Sequence, residues 1–435
     1  MTTREDARRR VDAPPPEALP RLLAGVRDDG RPVSLAEHLD REGSLPVGRG
    51  SGAHAELIEL VTASGLLGRG GGAFPTGQKL RAVAERGRNP IVLINGVEGE
   101  LISSKDHVLL ARVPHLVLDG AAVAAAAIGA REAIVAVGAG SSRGFAAIGA
   151  AIDERERRRV DRVSFRLIRA PDRFVVGEET ALVNFVNGGP AKPTFTPPRP
   201  YERGVRGVAT LVQNVETAAN LALLARYGPY WFRALGTSKE PGTTLVTLGG
   251  TVRRPGIYEI PFGLPVRELI AWAGGPSAPI SAYLIGGYFG TWVAAGEADT
   301  LALLDSDLRT VGASLGARSI VALPETSCGI VETARVARYL ADETAGQCGP
   351  CVRGLDAVAT ALAQLTAGKQ SEPRLHRWLE QVSGRGACRH PDGAARFISS
   401  ALRVFADEVA RHTAGSCTGS DRPILPVTRK RRHAE

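Results

Sequence analysis

Apolar positions follow two different spacings in the first half of the chain. The short apolar runs IVLING (91–96), AIVAVG (133–138) and VSFRLIRA (163–170) predict strands. Between them, the stretches 114–130 and 144–159 carry the longer pattern that is typical of helices, and residues 54–64 predict a short helix before a glycine-rich segment. Strands that alternate with helices predict an α/β domain with a parallel sheet, which we place at residues 51–235.

The pattern changes after about residue 235. The segments TLVTLGGTV, GIYEI, AYLIGGYF and ARSIVALPE predict short strands around one helix at VRELIAWAG, which gives a small α+β module over residues 240–326. From residue 329, four apolar-striped stretches in succession predict a four-helix bundle over residues 329–415. Residues 1–50 are rich in proline and arginine and predict a poorly ordered extension, and residues 416–435 predict a basic tail.

Composition narrows the classes of protein to which this chain can belong. The 435 residues are 44% hydrophobic and carry a net charge of +9, part of it near the two ends. Nucleic-acid binding is not expected, because aromatic residues that could stack on bases make up only 5% of the chain. The apolar runs are too short to cross a bilayer, and the N-terminus lacks the apolar core of a signal peptide. We therefore expect a cytoplasmic protein without direct membrane insertion, peripheral to a membrane at most through partner subunits.

The segment SGLLGRGGGAFPTGQK (64–79) is the strongest single indication of a ligand. Glycine has no Cβ, so such a loop lets backbone N–H groups approach a phosphate or a flat ring closely. GRGGGA (68–73) formally matches a dinucleotide-binding pattern. However, a predicted helix precedes it and no acidic residue ends the next strand, which excludes the Rossmann interpretation. The loop predicts a site for an anionic, nucleotide-like cofactor.

Polar turns follow three apolar runs of the same domain. They are NGVEGE (95–100), GEET (177–180) and QNVET (213–217). The carboxyl ends of parallel strands are where α/β sheets bind ligands. Together with the glycine-rich loop, these turns can surround a flavin, with amides for its phosphate and with carboxylates and asparagine for its hydroxyls and ring edges.

All five cysteines lie in the last quarter of the chain, at Cys328, Cys348, Cys351, Cys388 and Cys417. This clustering argues against a disulfide scaffold and favours a metal or iron–sulfur site. Cys348, Cys351 and Cys388 lie in predicted loops between helices. Their spacing alone is compatible with zinc and with iron–sulfur.

Taken in order, these motifs resemble those of the flavin-containing, NADH-binding subunit of respiratory complex I. The diaphorase subunits of NAD-linked hydrogenases and formate dehydrogenases share them. After the glycine-rich loop come NGVEGE, SKDH, VPHL, GEETAL, QNVET, GGTVRRPGIYE and ETAGQCGPC, and then a distant cysteine. The resemblance covers roughly residues 55–412. It implies an FMN domain, a β-grasp-like (SLBB) module and a helical bundle that carries a [4Fe–4S] cluster.

The resemblance also implies a function, that of a quinone-type NADH dehydrogenase subunit. Such a chain oxidises NAD(P)H and passes electrons from FMN through the iron–sulfur cluster to other electron-transfer subunits, ferredoxin-like or quinone-reducing. The alternative is an electron-transfer or scaffold subunit of the same fold that has lost nicotinamide use.

Cofactor contacts carry over from the family residue by residue. Lys79 would balance the flavin phosphate or the reduced ring, Phe74 would stack on the nicotinamide nucleotide, and Glu100 would lie near the NADH ribose. The full set implied by the resemblance is Gly68, Gly70, Phe74, Lys79, Asn95, Glu98, Glu100, Gly177, Glu178, Glu179, Gln213 and Asn214.

Five positions depart from the family on the nucleotide side. Val97 replaces an aspartate, Leu67 replaces an arginine, and Thr196 replaces a lysine. Ala82 and Arg199 replace aromatic residues that help to hold NADH. Since stacking supplies much of nucleotide affinity, these changes leave NADH, NADPH and no nicotinamide all open as the donor.

The cluster site departs as well, because Ala345 replaces the first cysteine of the family motif. Cys348, Cys351 and Cys388 would then hold a [3Fe–4S] cluster, or a [4Fe–4S] cluster with an outside ligand such as His390, water or another cysteine.

Overall fold

The computed structural model describes residues 19–47, 51–86, 88–369, 371–417, 419 and 422–427. Its first half is a parallel sheet covered by helices. The strands are β1 (Ile91–Gly96), β2 (Glu132–Gly138), β3 (Ser164–Ala170) and β4 (Thr210–Asn214). The helices are α1 (Leu35–Glu42), α2 (Ser51–Ser64), α3 (Thr76–Ala84), α4 (Lys105–Arg112), α5 (Pro114–Ile128), α6 (Ser142–Arg157), α7 (Glu179–Val186) and α8 (Val215–Arg233). The strand order is β3-β2-β1-β4 and every pairing is parallel, which confirms the predicted α/β class.

The centre of this sheet brings the predicted polar turns to one edge. β1 is apolar on both faces, with residues 91–94 at most 2% exposed, as expected for a strand covered by helices on both sides. Asn95 at the end of β1 pairs with Asn214 at the end of β4. The turns NGVEGE and QNVET therefore lie next to each other at the carboxyl edge of the sheet.

Residues 19–47 do not form the expected poorly ordered extension. Leu22 and Leu35 are completely buried. Asp119 of α5 accepts a hydrogen bond from His38 of α1 at 2.7 Å, and the carboxylate of Glu259 accepts the backbone N–H of Leu22 at 2.8 Å. Apolar side chains of the segment also pack against the core of the sheet domain, but their irregular spacing leaves no periodic pattern in the sequence. Residues 1–18 and 48–50 lie outside the described residues.

The middle region is a small module with its own sheet and core. Its elements are β5 (Thr243–Gly250), β6 (Gly256–Pro261), α9 (Val266–Trp272), β7 (Ile280–Ile285), β8 (Thr291–Ala294), α10 (Ala295–Ala298), α11 (Asp305–Leu308) and β9 (Ser319–Pro324). The sheet order is β6-β5-β9-β7-β8, with β5 and β9 parallel and the other pairs antiparallel. Strands around one principal helix match the predicted α+β module.

The C-terminal region contains five α-helices among the described residues, and the predicted four-helix bundle is not confirmed. They are α12 (Gly329–Asp342), α13 (Leu355–Thr366), α14 (Glu372–Val382), α15 (His390–Val404) and α16 (Ala406–Thr413). The stretch expected to be one last helix is interrupted at Phe405, whose φ and ψ are −109° and 35°. The break turns the Phe405 ring inward, where it meets the Trp292 ring of β8 edge-on at 5.2 Å.

Part of the predicted basic tail packs against the fold. Leu425 is 1% exposed and donates its N–H to Glu332 at 2.7 Å, and the carbonyl of Pro426 accepts from the Tyr288 hydroxyl. Within the described part of the chain, no single helix is long and apolar enough to cross a membrane. The adjoining helices α4 and α5 pass that test together by length and composition only, and they are bent by 99°.

Candidate functional site

The glycine-rich loop is closed at its base by backbone hydrogen bonds. Gly68 donates to the carbonyl of Phe74 at 2.9 Å, and Thr76 donates to the carbonyl of Leu66 at 2.9 Å. A Cβ on Gly70 would lie 3.3 Å from the Cβ of Asn214, so the loop passes close to the end of β4. The loop therefore lies beside the carboxyl edge of the sheet, where the sequence predicts a cofactor site.

Two buried arginines hold the loop from behind. Arg318 of the middle module donates to the carbonyls of Arg69 at 2.6 Å and of Gly68 at 3.3 Å. Arg69 is 1% exposed and donates its backbone N–H to Thr217 at 2.8 Å. Burial, and then the charge of Arg318, lower the pKa of Arg69 to about 9. Neither arginine is among the cofactor-binding residues predicted from the sequence, because their role depends on contacts between segments that are distant in the chain.

Helix α3 begins immediately after the loop and is suited to an anion. Its N-cap, Pro75, provides no side-chain hydrogen bond, so the positive end of the helix dipole is not neutralised there. The hydroxyl of Thr76 is buried without a hydrogen-bond partner among the described residues. Lys79, in the first turn, donates to Glu179 at 3.1 Å and remains 24% exposed. A helix N-terminus without a side-chain cap, beside a lysine, fits the phosphate of a flavin.

Asn95 joins two of the predicted turns. Its side-chain amide donates to the carbonyl of Gly177 at 2.9 Å and accepts the N–H of Val97 at 3.1 Å. A Cβ on Gly177 would lie 3.2 Å from the carbonyl oxygen of Val97, a tight approach that favours glycine. Val97, which replaces the aspartate of the family, is 7% exposed.

Two predicted cofactor carboxylates are engaged at helix N-termini. Glu98 accepts the N–H of His107 at 3.1 Å and the hydroxyl of Ser103, at the start of α4. Burial, and then the charge of Asp106, raise the pKa of Glu98. Glu178 accepts two backbone N–H groups at 3.0 Å at the start of α7. These bonds give both side chains a structural role that the motif alone does not reveal.

A buried polar network lies beneath Asn214. The Asn214 side chain donates to Asp106 at 2.5 Å and accepts from Lys105 at 3.2 Å. Lys105 is 3% exposed and also meets Glu216 at 3.1 Å. Burial opposes its charge, but Asp106 and Glu216 raise the pKa of Lys105 overall. Lys105 and Asp106 belong to the SKDH motif, so the ordered series of motifs is the sequence signal that could have added them to the predicted site residues.

Gln213 and Glu100 each have a buried polar atom without a hydrogen-bond partner in the part of the chain that the structure describes. These atoms are the Nε2 of Gln213 and the Oε1 of Glu100. The other oxygen of Glu100 accepts the N–H of Tyr288 at 2.7 Å, so this side chain lies between the α/β domain and the middle module. Burial raises the pKa of Glu100 to about 7. Phe74 is 54% exposed, and its ring is available for stacking.

The structure brings Cys348 and Cys351 together, which are two of the three cysteines that the sequence selects. The Sγ atoms of Cys348 and Cys351 are 3.2 Å apart. Burial raises the pKa of Cys388, and the charges of Glu178 and Cys348 raise it further. Cys351 lies in a π-helical turn (Pro350–Gly354), a distortion that is frequent at functional sites. Ala345, in place of the fourth cysteine, is 3% exposed.

His390 has one ring nitrogen free for a metal. Its Nε2 lies 2.8 Å from the carbonyl of Leu340 and donates to it, which leaves Nδ1 unprotonated in the neutral ring. Nδ1 is buried and has no hydrogen-bond partner within the described residues. The residue is 2% exposed, and its ring meets those of Phe174 and Phe289 edge-on.

A cleft among the described residues lies away from this site. It has a volume of about 490 Å³ and lies between α7 and the segment 194–207. None of the predicted cofactor residues lines it. We therefore place the site by its donor groups at the carboxyl edge of the sheet and not by the size of the cavity.

Known protein families match the three regions of the chain in the same order. Residues 61–223 match the Nuo51 FMN-binding domain, residues 245–284 the SLBB domain, and residues 332–412 the NADH-ubiquinone oxidoreductase-F iron-sulfur binding region. The NADH-quinone oxidoreductase F-subunit 2 of Rhizobium meliloti is 32% identical over 373 residues, which cover 82% of this chain and 88% of that protein. The chain belongs to the NADH-quinone oxidoreductase-F family.

Further relatives of this oxidoreductase-F family member agree with that assignment. The NADH-quinone oxidoreductase F-subunit of Streptomyces coelicolor is 30% identical over 384 residues, which cover 83% of each chain. An NAD⁺-reducing [NiFe]-hydrogenase has a similar solved structure, with a TM-score of 0.79 and 27% identity over 91% of this chain and 69% of that one. The resemblance drawn from the ordered motifs is confirmed.

Proposed function

We propose that this chain is an NAD(P)H-oxidising flavoprotein subunit that passes electrons from FMN through an iron–sulfur cluster to a partner. The observation that carries the proposal is that the glycine-rich loop, the N-terminus of α3 without a side-chain cap, and the ends of β1 and β4 lie at one edge of a parallel sheet. The chemistry supplied by bound FMN would be hydride acceptance from a nicotinamide and one-electron transfer to the cluster.

The chain's own residues would bind and orient the flavin. The N-terminus of α3 and the ammonium of Lys79 would hold the phosphate, because both present positive charge at the same place. Arg318 would keep the backbone of the loop in position through its two carbonyl contacts. The unpartnered Nε2 of Gln213 is a donor suited to a carbonyl or hydroxyl of the cofactor.

Fewer residues are available to bind the nicotinamide nucleotide than to bind the flavin. Phe74 would stack on the nicotinamide nucleotide, and the free oxygen of Glu100 would accept a ribose hydroxyl. Ala82 and Arg199 offer no aromatic surface, so Phe74 would carry most of the stacking. We therefore expect weaker nicotinamide binding than in relatives that keep those aromatic residues.

The cluster would be held by Cys348, Cys351 and Cys388. We propose Nδ1 of His390 as the fourth ligand of a [4Fe–4S] cluster, since it is a buried lone pair two residues after Cys388. Partner subunits would be ferredoxin-like or quinone-reducing, because the relatives are named as parts of a quinone oxidoreductase and of a hydrogenase.

An anaerobic absorbance spectrum, recorded before and after adding NADH and then NADPH, tests the flavin and the donor together. We expect a flavin band that bleaches rapidly with one of the two nucleotides. Lys79→Ala should lose bound FMN, whereas the exposed control Lys239→Ala should retain it. A colourless protein would overturn the proposal, and a bound flavin that neither nucleotide bleaches would favour a scaffold subunit instead.

Iron analysis with electron paramagnetic resonance tests the cluster. We expect about four iron atoms per chain in the wild type. His390→Ala should convert the signal to that of a three-iron cluster, and the exposed control His376→Ala should not change it. An unchanged four-iron signal in His390→Ala would exclude the histidine as a ligand.

A further inference from the structure

A second group of metal-binding side chains lies apart from the predicted cluster site. The ligand atoms of Cys328, His412 and Cys417 all lie within 4.8 Å of one another. The Sγ of Cys328 is 3.3 Å from the Nε2 of His412. We propose that these three residues form a zinc site that does not take part in electron transfer.

The site joins segments that are distant in the chain. Cys328 immediately precedes α12, His412 lies in the last turn of α16, and Cys417 follows that helix. Cys328 and His412 are 84 positions apart, so their contact is a product of the fold. A metal there would fasten the segment after α16 to the start of α12.

One backbone group is placed to support a thiolate ligand at Cys417. The backbone N–H of Gly419 points to the Sγ of Cys417 at 3.4 Å, a hydrogen bond that stabilises negative charge on sulfur. A Cβ on Gly419 would come within 2.5 Å of the Cβ of Cys328, so glycine is needed for this segment to close over the site. Cys328 and His412 are each 4% exposed, whereas Cys417 is exposed and leaves the site open to an entering ion.

The donor set and its dimensions favour zinc. With Zn–S of about 2.3 Å and Zn–N of about 2.05 Å, tetrahedral coordination puts sulfur and nitrogen about 3.5 Å apart and two sulfurs about 3.8 Å apart. The 3.3 Å between the Sγ of Cys328 and the Nε2 of His412 is close to the first value, and all three ligand atoms lie within 4.8 Å of one another. Two thiolates and an imidazole suit Zn²⁺ better than they suit magnesium or calcium, which prefer oxygen ligands.

A carboxylate is available for the fourth position. Glu408 lies one turn before His412 on α16, interacts with the Cys328 side chain, and accepts the N–H of Ile330 at 3.4 Å. Either Glu408 or a water molecule would complete the tetrahedron. Because the site has three or four protein ligands and lies at a junction of helices, its role would be structural.

Metal analysis of the full chain, purified anaerobically and without added zinc, tests the proposal. We expect about one zinc per chain in the wild type, in addition to the iron of the cluster. Cys417→Ser should lose the zinc and retain the iron, while Cys388→Ser should lose iron and retain the zinc. Ser416→Ala, next to the site on the exposed segment, is the matched control and should retain both.

Cys417 is the residue of choice because it is exposed, so its serine variant removes a ligand without opening a cavity in the core. Cobalt substitution gives an independent readout, since thiolate ligation of Co²⁺ produces a charge-transfer band that Cys417→Ser should abolish. A wild-type protein without zinc that also fails to take up cobalt would overturn the proposal. A disulfide between Cys328 and Cys417 in the anaerobically purified chain, detected by mass spectrometry, would overturn it too.

Discussion

Replacing Glu100 by glutamine would measure what it costs to place a carboxylate between the α/β domain and the SLBB module. The glutamine keeps the size of the side chain and the oxygen that accepts the N–H of Tyr288. It removes the negative charge of a carboxylate whose second oxygen, Oε1, is buried and has no hydrogen-bond partner in the described part of the chain.

The magnitude follows from the pKa of Glu100, which burial raises from 4.5 to about 7. Between these values the folded protein binds more protons than the unfolded chain, so stability falls as pH rises. The contribution is fully present below pH 4.5 and is lost as pH rises through about 7. A shift of about 2.5 units corresponds to about 3.4 kcal/mol as an upper limit. Since Glu100 keeps some exposure, solvent screening reduces the expected loss to about 2 kcal/mol.

Thermal unfolding at pH 5 and pH 8 tests this reasoning. At pH 5 the wild type and Glu100→Gln should unfold at nearly the same temperature. At pH 8 the variant should be more stable by about 2 kcal/mol, which is a rise of a few degrees in Tm. Glu325→Gln, at an exposed carboxylate of the same module, is the control and should follow the wild type at both values. If Glu100→Gln differs from the wild type equally at pH 5 and pH 8, Glu100 does not carry a raised pKa.

Three further substitutions probe other parts of the fold. Asp119→Asn should lower the free energy of unfolding, measured in urea, by about 3–5 kcal/mol, because it leaves the buried Arg155 and Arg226 without their shared carboxylate. The exposed control Asp153→Asn should change that free energy by less than about 0.5 kcal/mol. In Arg318→Lys the lysine cannot bond to the carbonyls of Gly68 and Arg69 at once, and since each buried hydrogen bond contributes about 1 kcal/mol, FMN binding should weaken about tenfold in a fluorescence titration. Unchanged affinity, or an equal loss in the exposed control Arg253→Lys, would refute the positioning role. Gly250→Ala should destabilise the folded protein by more than about 2 kcal/mol, because φ is +81° there and the new Cβ would lie 2.0 Å from the carbonyl oxygen of Ala322. Gly256→Ala, where a Cβ would meet open space, should cost about 1 kcal/mol at most, and equal costs for the two variants would contradict the steric argument.

Much of the site was predictable because its motifs are local. The loop is marked by its own glycines, Asn95 and Asn214 each lie in a turn after an apolar run, and parallel strands bring the two turns to one edge. The groups to which each carboxylate bonds were not predictable. Glu98 and Glu178 bond to the starts of α4 and α7, and a one-dimensional motif does not distinguish a helix cap from a cofactor contact.

The sequence by itself determined the order of the motifs and the α/β class, because side-chain periodicity follows directly from backbone geometry. Only the tertiary structure decided the rest. It packs residues 19–47 against the sheet domain, turns the chain at Phe405, and brings Arg318 behind the glycine-rich loop. It also places Cys328 beside His412 across 84 positions. Such contacts depend on how all the helices and strands pack at once, so no local pattern along the chain records them.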